Sequence, residues 1–217
     1  MATTEEHTRV LSVDIGIKNL SFCIVDFDND EFDLVHVEKV AIGTINQTSF
    51  VLTKALVDFL RSSDAINEKP IDYIFCENQL SRAVKNTVLS YALVTYFYTE
   101  ASISGCNVHI QFVPPRVKFS AINAYFPGVV ESQDIVCRAR SKDLKKLSVS
   151  IARELFHGMD VAKGIEAMER YHPKLDDIAD VFLQSFAVFL DKYRDGNKNV
   201  AGNPIGSRRK RTRYCPS

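Results

Sequence analysis

No apolar run in this sequence approaches the roughly 18 residues that a membrane-spanning helix needs, so no membrane partner is expected. Paired cysteines are missing too. Cys23, Cys76, Cys106, Cys137 and Cys215 are odd in number, widely spaced and without a CxxC pair, which disfavours a zinc site or a disulfide framework. Reduced thiols in an intracellular compartment are the expectation. The opening residues, MATTEEHTRV, carry two glutamates and no basic or apolar leader, unlike a signal or transit sequence, which disfavours mitochondria. Net charge is absent as well, since 27 Lys and Arg balance 27 Asp and Glu, and at first sight this argues against a nucleic-acid partner.

The balance hides an asymmetry. From Lys192 to the C terminus there are eight Lys or Arg and one acid, Asp195, which leaves 19 basic and 26 acidic residues before it. An acidic body therefore carries a basic tail. The 217 residues, 46% hydrophobic and 25% charged, suit one globular domain with a sizeable core over residues 1–193, followed by a tail at 194–217 without fixed structure. SRRKRTR at 207–213 would serve a nucleic-acid arm, a nuclear-import signal or a solubilising tail.

The organising stretch is Val10 to Asn19, VLSVDIGIKN. Apolar, β-favouring residues run into Asp14, a glycine turn follows, and a second apolar run starts at Leu20, the pattern of a buried strand ending in a tight hairpin. A carboxylate there costs several kcal/mol unless a partner or a metal compensates. Residues 20–27 read as a second strand and 32–42 as a third, half-exposed one, so the three form an antiparallel meander. Apolar residues at 52, 55, 56, 59 and 60 predict a helix, and IDYIFCE at 71–77 a strand parallel to a member of the meander. A long, well-buried helix over 83–102 stops at Gly105, and 107–113 is a fifth strand closed by Pro114-Pro115. Residues 158–172 read as a loop or short helix, and 174–191 as a last helix with Leu175, Ile178, Phe182, Phe186 and Phe189 in one stripe. This order predicts an α/β, ribonuclease H-like fold: a mixed five-stranded sheet, three antiparallel strands then parallel ones, flanked by helices.

Two sets of charged residues stand out. Over 142–156, Leu144, Leu147, Ile151 and Leu155 share one helical stripe, with Arg138, Lys142, Lys145, Lys146 and Arg153 opposite. That basic side is either a solvated face or one that tracks phosphates beside an acidic site. The acids are Asp14, Glu77, Asp177 and Asp180, drawn from three distant segments, with Asp177 and Asp180 about 60° apart on one helix face. Each alone has an ordinary explanation as a turn former, an ion-pair partner or a helix-dipole residue, and Asp176 is read as a helix-start residue. Gathered together, they cannot all stay ionised at neutral pH without cations among them. Hard oxygen ligands point to Mg2+, with Mn2+ able to substitute, and to two ions that activate water on one side and stabilise the leaving oxygen on the other.

Several segments resemble, in order, those of poxvirus Holliday junction resolvases: DIGIKN at 14–19, FCENQ at 75–79 with Arg82 shortly after, VPPRVK at 113–118, DLKKLSV at 143–149 and KLDDIADVF at 174–182. They resemble more distantly bacterial RuvC and fungal mitochondrial resolvases. The resemblance spans Leu11 to Tyr193. It implies metal-dependent cleavage of four-way DNA junctions by a homodimer making paired symmetric nicks with 5′-phosphate ends, in a virus-infected cell. It matches Asp14, Glu77, Asp177 and Asp180 to the catalytic acids, Lys118 to a family lysine one residue further from its proline, and Lys145 and Lys146 to paired lysines of a basic helix. Lys118, Lys142, Lys145, Lys146, Arg138 and Arg82 are the expected DNA contacts, and the helix from Ala83 the expected dimer interface. The alternatives are a ribonuclease H-like nuclease for other DNA or RNA–DNA substrates, a junction binder that does not cut, and an actin-like kinase using Asp14-Ile15-Gly16 as a phosphate loop. The last lacks a second glycine-rich nucleotide segment, and no small-molecule cofactor is expected.

Overall fold

The computed structural model describes residues 7–28, 31–79, 82–115, 118–119, 141–158 and 161–189. The basic tail and Arg138 lie outside these, as does the side chain of Lys142. In chain order the elements are β1 (His7–Asp14), β2 (Leu20–Asp28), β3 (Glu31–Val40), α1 (Ser49–Ser62), α2 (Asp64–Asn67), β4 (Tyr73–Glu77), α3 (Val84–Ser104), β5 (His109–Val113), α4 (Ser141–Gly158), α5 (Ala162–Arg170) and α6 (Asp176–Phe189).

The strands form one five-stranded sheet in the order β3-β2-β1-β4-β5. β1 pairs antiparallel with β2, and β2 with β3, while β4 runs parallel to both β1 and β5. Helices cover both faces, which is why β1 and β2 read as nearly continuous apolar runs rather than alternating ones. Val10, Cys23, Val25 and Phe75 pack with Ile151, Leu155, Ile178, Phe182 and Phe186 of α4 and α6. Leu11, Phe22, Ile24, Ile74 and Cys76 pack with Leu52, Leu56 and Leu60 of α1 and Leu89, Leu93 and Phe97 of α3.

Alternation along each strand then decides where the acids point. Asp14 shares the face of Val10, and Glu77 that of Phe75, so both turn toward α6. Val13 lies opposite Cys76 in the parallel ladder, which sets Asp14 and Glu77 side by side at the ends of adjacent strands. The glycine after Asp14 is needed for the close turn, because a Cβ on Gly16 would stand 2.6 Å from the Asn19 carbonyl oxygen. Helix α6 is fastened over these strands by polar contacts as well as its phenylalanines: Gln184 Nε2 donates to the Phe75 carbonyl at 2.9 Å, and the Cys23 thiol donates to that of Val181 at 3.3 Å.

Some expectations change. Strand β1 begins three residues before Val10, because Arg9, only 2% exposed, is neutralised inside the fold by a two-pronged contact with Asp26 at 2.6 and 2.8 Å. Of the two forms expected over 158–172, a loop or a short helix, residues 162–170 take the second as α5. Helix α3 is not well buried: Leu89, Ser90, Leu93 and Phe97 are covered, but Val84, Tyr91, Tyr98 and Ile103 are 52–75% exposed. Its apolar residues surround the helix, so composition alone did not reveal which side the sheet would cover. It ends at Gly105, whose φ of 70° lies in the left-handed region.

Gly164 lets α5 approach α4. A Cβ there would fall 2.3 Å from the Phe156 ring, which is itself wedged against Phe182 with ring centroids 4.4 Å apart. Gly164→Ala is expected to destabilise the fold by roughly 1–3 kcal/mol, the usual range for overpacking. Urea denaturation measures this, and an unchanged midpoint would mean that the two helices separate freely.

Candidate active site

The acids meet where the ends of β1 and β4 face the first turns of α6. Lys118 stands among them, 5% exposed, with Nζ 2.7 Å from Asp180 Oδ1 and 3.9 Å from Glu77 Oε2. Asp177 Oδ2 faces Lys39 Nζ at 3.3 Å and Lys174 Nζ at 4.0 Å. Asp176 is ion-paired with Lys145.

Electrostatics ties the three segments together. Asp14 is raised to about 6, by burial first and then by the charges of Asp180 and Asp177, against the pull of Lys118 and a hydrogen bond from Gln79. Glu77 is raised to about 7 by burial and Asp14, with Asp180 adding to the rise and Lys118 opposing it. Asp176 behaves differently. Burial alone would raise its pKa, but the hydrogen bond and charge of Lys145 hold it below the ordinary range, as suits a structural acid at a helix start.

Among the described residues no three carboxylate, imidazole or thiol groups stand close enough together to enclose a metal ion. The side chains gather around the Lys118 ammonium instead. The oxygen chemistry of the donor set, though not its spacing around Lys118, nevertheless suits a hard divalent cation. Four carboxylates converge from three segments, two of them hold their protons unusually tightly, and Asp180 Oδ1 is buried without a hydrogen bond even though Lys118 lies at ion-pair distance. A small cation bound by oxygen ligands would relieve that excess of negative charge.

The expected basic contacts divide into two groups. Arg82, Lys145 and Lys146 are exposed, although Lys145 already engages Asp176. Lys118 is not a surface contact, because it is buried as the counter-charge of the acids. Sequence reasoning missed Lys39, which lies 138 residues from Asp177 along the chain. It also missed Gln79 and Asn86, which line the same cleft as Glu77, Lys118, Lys145 and Asp180. The glutamine is visible in the FCENQ segment, but nothing in the sequence links it to Asn86.

Sheet order, flanking helices and the position of the acids define a ribonuclease H-like fold of the RuvC type. No protein-family model and no curated protein matches the sequence. Among solved structures, the yeast mitochondrial Holliday junction resolvase Ydc2 is similar, with a TM-score of 0.59 at 17% identity over 87% of this chain and 84% of its own. Thermus thermophilus RuvC in complex with Holliday junction substrate gives 0.57 at 14% identity, over 87% and 97%. The fowlpox virus Holliday junction resolvase gives 0.46 at 21% identity, over 85% and 99%. The chain also forms a single sheet among the described residues, not the two lobes that an actin-like kinase would need.

Proposed function

We propose that this protein is a metal-dependent endodeoxyribonuclease that resolves four-way DNA junctions by paired symmetric nicks. The observation that carries the reading is the convergence of Asp14, Glu77, Asp177 and Asp180 at one end of a RuvC-type sheet. Those four residues would hold two Mg2+ ions, or Mn2+ in their place. When bound, such ions supply a water activated at neutral pH and stabilise the leaving oxygen. The chain itself orients the acids and supplies positive charge. Lys118 offsets the charge of the acids, while Lys146 and Arg82, exposed at the surface, would hold the flanking backbone together with Lys145 if it leaves Asp176. A role in the replication or recombination of a large DNA virus, in the cytoplasm or nucleus of the infected cell, accords with this chemistry. The basic tail would add non-specific DNA affinity.

Two symmetric nicks call for two sites, and hence a homodimer. Helix α3 supports this, since its exposed Val84, Val88, Tyr91 and Tyr98 follow the 3.5-residue repeat with which one helix meets another. Tyr91→Glu should convert a dimer to a monomer in sedimentation experiments and replace paired nicks by single ones. A variant that stays dimeric would move the interface elsewhere.

Purified protein with Mg2+ and a synthetic four-way junction should give paired nicks bearing 5′-phosphates. Junction, duplex, flap and RNA–DNA hybrid are compared at matched salt, because affinities at different salt are not comparable. Preference for the hybrid would overturn the junction reading in favour of a ribonuclease H-like activity.

A further inference from the structure

The first turn of α3 reaches into the site through an amide. Asn86 Nδ2 donates to the Ile15 carbonyl at 3.0 Å, immediately after Asp14, and to Gln79 Oε1 at 3.3 Å, two residues after Glu77. Both of its donor hydrogens are committed, so one side chain brackets the ends of the two acid-bearing strands. The bracket fixes the next amide in turn. With Oε1 held by Asn86, the Gln79 amide nitrogen must point the other way, where it donates to the Glu77 carbonyl at 3.3 Å and stands near enough to the Asp14 carboxylate to favour its ionised form.

We infer that Asn86 and Gln79 form a positioning relay, in which Asn86 orients the Gln79 amide so that its N–H occupies one lone pair of Asp14 and leaves the rest of that carboxylate turned toward a divalent ion. The inference rests on the proposed metal site and deepens it. A carboxylate free to rotate presents its oxygens in many directions. One N–H donor from a fixed amide removes most of them, as hydrogen bonds to metal-ligating groups commonly do. Both residues act through Asp14 and touch no substrate.

The relay demands that the two amides act as one. Gln79→Met and Asn86→Leu keep roughly the size of each side chain and remove its donors. Each is expected to weaken Mn2+ binding to the full chain, read by titration calorimetry, and to lower the kcat of junction cleavage by about 10–100-fold with KM for the junction unchanged. The double variant should lose no more than the worse single one, because the second substitution breaks a chain already broken. Restoring a donor at position 79 with Gln79→His should recover part of the Mn2+ affinity in the presence of Asn86 and none in Asn86→Leu. Losses that multiply in the double variant, or wild-type Mn2+ affinity in both singles, would overturn the relay. Should the wild type cut no branched DNA at all, the proposed function fails, while Mn2+ affinities of the four proteins still decide the coupling.

Discussion

Asp14→Asn should abolish junction cleavage, by about a thousandfold or more, while leaving the metal-free fold as stable as before or more so. The two halves of this expectation have one cause. Asp14 is half-buried at the end of the central strand and repelled by Asp180 and Asp177. A neutral amide of the same shape relieves that repulsion and keeps an oxygen to accept from Gln79, but it offers a divalent ion a far weaker ligand. A thousandfold loss is about 4 kcal/mol of transition-state stabilisation. The same chemical change at Asp26 should do the reverse. Its carboxylate neutralises the buried guanidinium of Arg9 at the opposite end of β1, and removing one partner of such a pair strands the other charge. Asp26→Asn is therefore expected to cost about 3 kcal/mol of stability, with activity lost only in step with folding. Single-turnover cleavage and urea melts of both variants separate the roles. Strong destabilisation by Asp14→Asn would make Asp14 a structural residue.

Much of the site was legible because strand parity is legible. The sequence places the Glu77 strand parallel to some member of the meander; that its neighbour is β1 comes from the structure, and alternation then sends both carboxylates to the face that α6 covers. What stayed hidden depends on contacts between residues far apart in sequence. The pattern marks the strand only from Val10, because nothing near Arg9 shows that Asp26 would neutralise it inside the sheet. Lys118 looked like a DNA contact for the same reason. Its motif was visible, but its distance from Asp180 was not, and that distance makes it the counter-charge of the acids instead of a surface cation. Helix α3 misled in another way. Burial cannot be inferred from apolar content when a helix has a second apolar side left largely exposed, as Tyr98 and, despite its contact with Phe112, Tyr91 show.

In the metal-free protein, stability should fall as pH rises from 5 to 8, and Mn2+ should offset most of that fall. Ordinary aspartate and glutamate titrate at 3.8 and 4.5, whereas folded Asp14 and Glu77 do so at about 6 and 7. The folded chain thus binds more protons than the unfolded one between these values. The stability this confers is complete below about pH 4 and is lost as pH rises through 6 to 7. Asp26 and Asp176 work in the opposite sense, since their folded pKa values are lowered and their contribution disappears only as pH falls below 3.8. The two windows do not overlap, so these acids leave the range from 5 to 8 to the candidate site. Divalent ions compete there with protons, and binding must release them. At pH 8 an ion concentration a hundredfold above Kd should add about 3 kcal/mol. At pH 5 the same concentration should add far less. Thermal melts across this range, with and without Mn2+, measure both slopes. Stability that stays flat without metal, or a metal-induced gain indifferent to pH, would remove Asp14 and Glu77 from the ligand set.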